Sequence, residues 1–305
     1  MIYVDKDGRW FLIDDLIISI VSFTVGYVSS GLTTGDWGWK SVEKGLITAG
    51  AAWLGYNTEG MSATAIWGET NIGIGYTLTA AGIGEGVGGA SNTILSHYSD
   101  NRWRFNSYKS LNWTQVKRSV FAGMMGGLAG GAVGFYSGAP ISAGIVGGRV
   151  SGGISGSYEG DWMGGAMLGM VSGGVSSGLT VAAYNIYGNY LYKNIPSQEN
   201  LSIGDPYVID GQTKTCRQFL NDVTDANYPN GGFDAAGFGP PVPPSGEQAH
   251  VGLVLGRTQY GQHMILSNEY PNGGVYVRTS TYLRNMYGSP FNVVSVPRYQ
   301  MPDLR

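Results

Sequence analysis

Glycine recurs at every fourth position through the middle of this chain, and few folds tolerate that. Gly144, Gly148, Gly152, Gly156, Gly160 and Gly164 form one row. Gly123, Gly127 and Gly131 form a second, and Gly126, Gly130, Gly134 and Gly138 a third. On a helix, four-residue spacing keeps a row on one side and leaves a shallow groove that another helix can approach closely. Each interior glycine costs a water-exposed helix about 1 kcal/mol relative to alanine, so rows this long need a packing reason. The same region is nearly free of charge. The thirty residues between Arg118 and Arg149 and the thirty-one from Trp162 to Tyr192 contain no Asp, Glu, Lys or Arg.

Two architectures satisfy this pattern. One is a glycine-zipper hairpin that enters or crosses a membrane, with residues 119–192 as the segment in contact with lipid. The other is a compact soluble bundle of small-residue helices. Length without charge favours the first, whereas the many Ser and Gly residues dilute the hydrophobicity and favour the second as the resting state. The stretch Leu16 to Val28 is apolar but shorter than the roughly 20 residues of a membrane helix, and reads as a buried amphipathic helix behind Asp14-Asp15. Asp36-Trp37, Asn112-Trp113 and Asp161-Trp162 each set an Asx residue suited to an N-cap before an apolar run, and so mark helix starts. Residues 1–10 read as a short strand and a turn at Asp7-Gly8.

With 51 glycines, only 13% charged residues and a net charge of −3, nothing favours electrostatic binding of nucleic acid. The first residues, Met1-Ile2-Tyr3-Val4-Asp5-Lys6-Asp7, lack the basic and apolar regions of a signal peptide. The polar stretch Asn194–Asn200, which contains Pro196, reads as a linker, dividing the chain into a helical region over 1–195 and a second domain over 196–305.

That second domain holds Cys216, the only cysteine of the chain. Phe219, Leu220 and Val223 share a helical face, which places the thiol at a helix N-terminus, where the dipole and unpaired amides favour thiolate and can bind an oxyanion. From His250 the sequence alternates as a strand: His250, Gly252 and Val254 point one way, Val251, Leu253 and Leu255 the other. Gly252 leaves room for a close approach of backbone or substrate. The following strand ends in polar residues, of which Asn268 is the expected partner for the imidazole, with Ser267 and Glu269 as alternates. The Pro- and Gly-rich stretch Tyr228–Gln248 reads either as a substrate wall or lid or as a solvated connector. His263 reads as a solvated loop residue and His97 as a surface or helix-end residue. Three scattered histidines and one cysteine do not make a zinc site, and no cofactor is expected.

The run Gly204-Asp205-Pro206-Tyr207 with Gly211, then Cys216 opening a helix, then His250-Val251-Gly252-Leu253-Val254-Leu255-Gly256, resembles the NlpC/P60 family of papain-like cysteine peptidases. Gly273–Arg278 followed by Tyr282-Leu283-Arg284 is similar to that family's last strand and turn. The likeness covers about 200–298. It departs at Thr215, Arg217 and Gln218 around the thiol, before the histidine, where Phe238–Gly246 replaces the family's strand, and in the longer loop Arg257 to His263. It implies an α+β, papain-like domain that hydrolyses amide bonds of peptidoglycan stem peptides, with Cys216 as nucleophile, His250 as base and Tyr207 near the oxyanion. A shorter run, Tyr3-Val4-Asp5-Lys6-Asp7-Gly8-Arg9-Trp10, resembles the segment after the core of Rhs/YD-repeat polymorphic toxins. It implies an antibacterial effector exported by a contact-dependent or type VI-like machine to the target-cell periplasm and neutralised by an immunity protein. The alternatives are a papain-like toxin that deamidates or cleaves a cytosolic protein, and a glycine-zipper pore-former.

Overall fold

The protein is seen here as a computed structural model that describes residues 13–67, 73–196, 202–209, 211–229, 232–242, 247–269, 273–289 and 291–296. The expected N-terminal strand and turn lie outside these residues. Among the described residues, six long helices come first: α1 Ile13–Thr34, α2 Trp39–Trp67, α3 Ile74–Asp100, α4 Trp113–Ser137, α5 Pro140–Glu159 and α6 Trp162–Lys193. Each runs antiparallel to the next, and α6 returns against α1, closing a ring. The helix starts follow their Asx residues in two of three cases. Asn112 accepts from the amides of Thr114 and Gln115, and Asp161 from that of Gly164. Asp36 instead caps a turn through Gly38, and α2 begins at Trp39.

The glycine rows are where the helices touch. A Cβ on Gly148 would lie 2.0 Å from the carbonyl oxygen of Gly169, and one on Gly169 2.0 Å from that of Gly148. Gly144 meets Gly173 and Gly152 meets Gly165 in the same way. Gly123 and Gly127 of α4 lie as closely against Glu85 and Ala81 of α3. With backbone meeting backbone inside, the large apolar side chains turn outward: Leu16 and Ile20 of α1, Met167 and Val171 of α6 and many others are exposed. The expected burial of α1 is therefore one-sided, with Ile17, Ile18 and Val21 buried. Three helices, within Asp15–Thr34, Trp113–Ser137 and Trp162–Lys193, are long and apolar enough to cross a membrane by length and composition.

The rest of the chain is α+β. A short hairpin, β1 Val208–Ile209 with β2 Gln212–Thr213, precedes α7 Cys216–Asn227. Then β3 Phe233–Val242, β4 Glu247–Arg257, β5 His263–Asn268, β6 Val275–Thr279 and β7 Phe291–Val296 form an antiparallel sheet in the order β6-β5-β4-β3-β7, with α8 Ser280–Tyr287 between β6 and β7. The Pro- and Gly-rich stretch expected as lid or connector thus contributes an interior strand. Phe233, Ala236 and Phe238 supply buried positions, and Gly239, at φ +77°, sits in the bulge between Phe238 and Pro241. The bulge lets the ladder continue past residues that donate no hydrogen bond.

One core spans both regions. Ile17 and Val21 of α1 and Tyr184, Leu191 and Tyr192 of α6 pack with Phe219, Leu220 and Val223 of α7 and with the sheet residues Leu253, Leu255 and Leu266. The loop between β4 and β5 inserts into the end of the ring. Arg257 donates to the Tyr76 hydroxyl at 3.0 Å, and its guanidinium lies over the Tyr56 ring. Gln259 accepts from Ser176, and Gln262 donates to the Gly134 carbonyl at 2.7 Å. The Tyr260 ring fills the space left by Gly130 and Gly147, where a Cβ would come within 2.3 and 2.7 Å of it.

Backbone contact predicts opposite outcomes for two glycines of similar helical setting. Gly148→Ala should destabilise the fold by about 3 kcal/mol, because its Cβ meets a carbonyl that cannot step aside. Gly178→Ala meets nothing within 4 Å and should stabilise by up to about 1 kcal/mol through helix propensity. Thermal or denaturant unfolding followed by circular dichroism measures both.

Candidate functional site

Cys216 is the first residue of α7, as its sequence setting predicts. Thr215 is the N-cap: its side chain accepts from the Gln218 amide, and Gln218 Oε1 accepts from the Thr215 amide at 3.0 Å. Such a reciprocal cap fixes the first turn and contributes on the order of 1 kcal/mol. The N–H groups of a first turn have no intrahelical acceptor and point past the thiol, the arrangement that binds an anion or oxyanion. Cys216 is half-buried, at the margin of the core shared by α6, α7 and the sheet.

Tyr207 takes a different place from the one the resemblance implies. It is fully buried, packed edge-on against Tyr192 and Phe219, and its hydroxyl donates to Asp222 of α7. Burial, before the Asp222 contact, pushes its hydroxyl well above the ordinary tyrosine range. Tyr207 anchors α7 instead of lining an oxyanion site.

His250 is 1% exposed on β4, opposite Phe238 of β3. Alternation along β4 puts Val251, Leu253 and Leu255 in the core beneath α7, and His250, Gly252 and Val254 on the other face, which α8 covers. The imidazole stacks on Tyr287 of α8, ring centroids 3.9 Å apart and 6° from parallel. Its Nε2 has no hydrogen-bond partner, and burial pushes its pKa down to about 4. Among the described residues no hydrogen bond joins it to Cys216. The Tyr287 hydroxyl is pushed up to about 12, first by burial and then by the charges of Glu269 and Cys216.

The polar end of β5 divides between the two faces. Asn268 lies on the α7 face, where Nδ2 donates to the Lys214 carbonyl at 2.7 Å, two residues before the thiol. Its Oδ1 is buried without a partner. Asn268 therefore positions the α7 entry and is not behind the imidazole, a consequence of strand alternation. Ser267 has the face of His250, also with an unpartnered buried oxygen, and Glu269 pairs with Arg278 at 2.8 Å. Gly252 makes room for β5: a Cβ there would lie 2.6 Å from Ile265 and 2.9 Å from the Leu266 carbonyl oxygen. His263, expected in solvent, is buried between Phe291 and Tyr76 because its loop enters the helical ring. His97 does end a helix, with Nε2 2.9 Å from the Ser107 carbonyl oxygen. Tyr287 was not singled out from the sequence, since an aromatic residue closing a short amphipathic helix carries no local sign of a ring partner. Among the described residues no cluster of three or more His, Cys, Asp or Glu is placed to hold a metal ion.

The buried imidazole gives a pH signature. Its folded pKa lies below the ordinary 6.5, so the folded protein refuses a proton that the unfolded chain accepts. Stability should fall as pH drops from 6.5 towards 4, by up to about 3 kcal/mol, and level off below. His250→Gln should remove this loss, as read by melting temperature across that range; an unchanged acid slope would place the titration elsewhere.

No family model, no curated protein and no solved structure matches this chain.

Proposed function

We propose that the C-terminal domain is a cysteine hydrolase of the NlpC/P60-like, papain-like kind, and that the chain is an antibacterial effector acting on peptidoglycan stem peptides. The observation that carries the reading is the setting of the single thiol. Cys216 opens a well-capped helix and is half-buried, and the same sheet carries a buried histidine whose Nε2 has no partner. A buried imidazole nitrogen without a partner costs about 1–3 kcal/mol.

In this reading Cys216 loses its proton and attacks the amide carbonyl. The oxyanion forms at the first-turn amides of α7, the amine leaves, and water hydrolyses the thioester. His250, uncharged at neutral pH, is the proton acceptor. Because His250 belongs to the α8 face and Cys216 packs on the α7 side, the transfer requires a rearrangement that takes the imidazole off Tyr287 and brings it to the thiol. The substrate class comes from the resemblance over about 200–298 and the effector role from the short N-terminal likeness to Rhs/YD-repeat toxins. An immunity protein and delivery to the target-cell periplasm belong to the same proposal.

Purified peptidoglycan incubated with wild-type protein and with Cys216→Ala tests it. Soluble stem-peptide fragments should appear with the wild type and fall at least 100-fold with the variant, whose melting temperature should stay within about 2 °C, since the thiol makes no hydrogen bond among the described residues. Intact peptidoglycan alongside thiol-dependent cleavage or deamidation of lysate proteins would move the substrate to the cytosol. Equal activity of both proteins would remove the cysteine mechanism.

A further inference from the structure

The helical ring has an outer surface that the hydrolase reading does not use. On α6, Met163, Met167, Val171, Val175 and Leu179 follow one another every fourth residue, and all are exposed. At 1.5 Å per residue this stripe runs about 24 Å along the helix. It lies on the side of α6 opposite the row Gly165, Gly169 and Gly173, which faces α5. Exposed apolar side chains continue round the ring, with Leu16 and Ile20 on α1, Leu54 and Met61 on α2, and Phe121 and Met125 on α4. The C-terminal domain covers none of this band, because it sits on the end of the ring marked by Tyr76, Gly134 and Gly138.

At the opposite end are five tryptophans, Trp37, Trp39, Trp103, Trp113 and Trp162, each 49–74% exposed. Charged residues gather there too, including Lys40, Lys44, Arg102, Arg104 and Lys117, and Arg118 bends over the Tyr158 ring at 4.7 Å. Glu43 and Asp100 at the same end pair with Trp103 and Lys44, so the charge there is mixed. An apolar band bounded by indoles and charged groups is the profile of a surface that lies in a bilayer, with tryptophan at the headgroup level. The dimension agrees: α5, the shortest of the six at 20 residues, is about 30 Å long, the thickness of a hydrocarbon core. The packing agrees as well. Helices held by glycine-to-backbone contact need no hydrophobic drive between them, which is how helices associate in lipid. A second copy of the chain would cover one side of the ring, whereas the apolar surface runs over α1, α2, α4, α5 and α6. Arg149, exposed halfway along α5, is the one charge set within the α4–α6 band, and the apolar side chains around it outnumber it many times over.

We propose that the outer face of the helical ring docks in membrane hydrocarbon, with the tryptophan-bearing end at one interface and the C-terminal domain at the other end. The inference is independent of the chemistry at Cys216. Full-length protein mixed with neutral phosphatidylcholine vesicles, some containing brominated lipid, should float with them in 1 M salt and show quenched tryptophan emission. Val171→Lys with Val175→Lys, both at exposed positions, should weaken vesicle binding at least tenfold while leaving helical content unchanged. Protein left behind by the vesicles, or a stable oligomer of defined size in aqueous buffer that ignores them, would overturn the proposal. Equal flotation of the double-lysine variant would overturn it too, because the surface in lipid would then not be this one.

Discussion

Contact between bare backbones is the constraint from which the rest of this structure follows. Where Gly148 faces Gly169 and Gly152 faces Gly165, the two helices approach until a single methyl group would collide with a carbonyl oxygen. Helices packed that closely have no interior to fill with Leu or Phe, so their large apolar residues must lie elsewhere. Around the ring they lie outside, on α6 in a continuous stripe. The same economy explains why so low a share of charged residues, 13%, is compatible with an ordered helical region. Dispersion over a long, close interface replaces the burial of big side chains.

The β4–β5 loop is the second consequence. Gly130 and Gly147 leave a space between α4 and α5 that no helical side chain occupies, and Tyr260 occupies it. Arg257 reaches Tyr76 of α3, Gln262 reaches α4, and the Arg257 carbonyl accepts from Tyr184 of α6. A strand loop of the C-terminal domain thus locks several helices together, while Ile17 and Tyr184 give that domain part of its own core. The two regions differ sharply in composition and are nevertheless joined by a shared core. A change at Tyr260 would therefore be felt in both regions.

How far the sequence discloses this depends on whether a signal is local. Helix caps are local, and Asn112 and Asp161 cap as their side chains suggest. The spacing of Phe219, Leu220 and Val223 is local, and α7 starts at Cys216. Alternation from His250 correctly separates the two faces of β4. What alternation does not disclose is which face the helices cover, and that single bit of information moved His250 under α8 and Asn268 beside Lys214. Phe233–Val242 is hidden as a strand by its Gly and Pro residues, because the ladder that tolerates them is formed with β4 and β7, far away in sequence. The polar loop 257–263 looks solvated because its partners are tyrosines and glycines of distant helices. Tyr207 has the right residue type for a site, yet its hydroxyl is held by Asp222 one and a half turns into α7.

The thiol remains the chemical centre of the account. Its helix is capped, and its entry is tied to β5 through Asn268 and Lys214. Intact-mass and peptide-level spectrometry of the protein, quenched in acid seconds after mixing with muropeptides, tests that centre most directly. The account predicts a thioester adduct in the wild type, confined to the peptide bearing Cys216, and its loss when His250 is replaced by Gln and the thiol keeps its proton. Product release with Cys216 never modified, in wild type or variant, would contradict it.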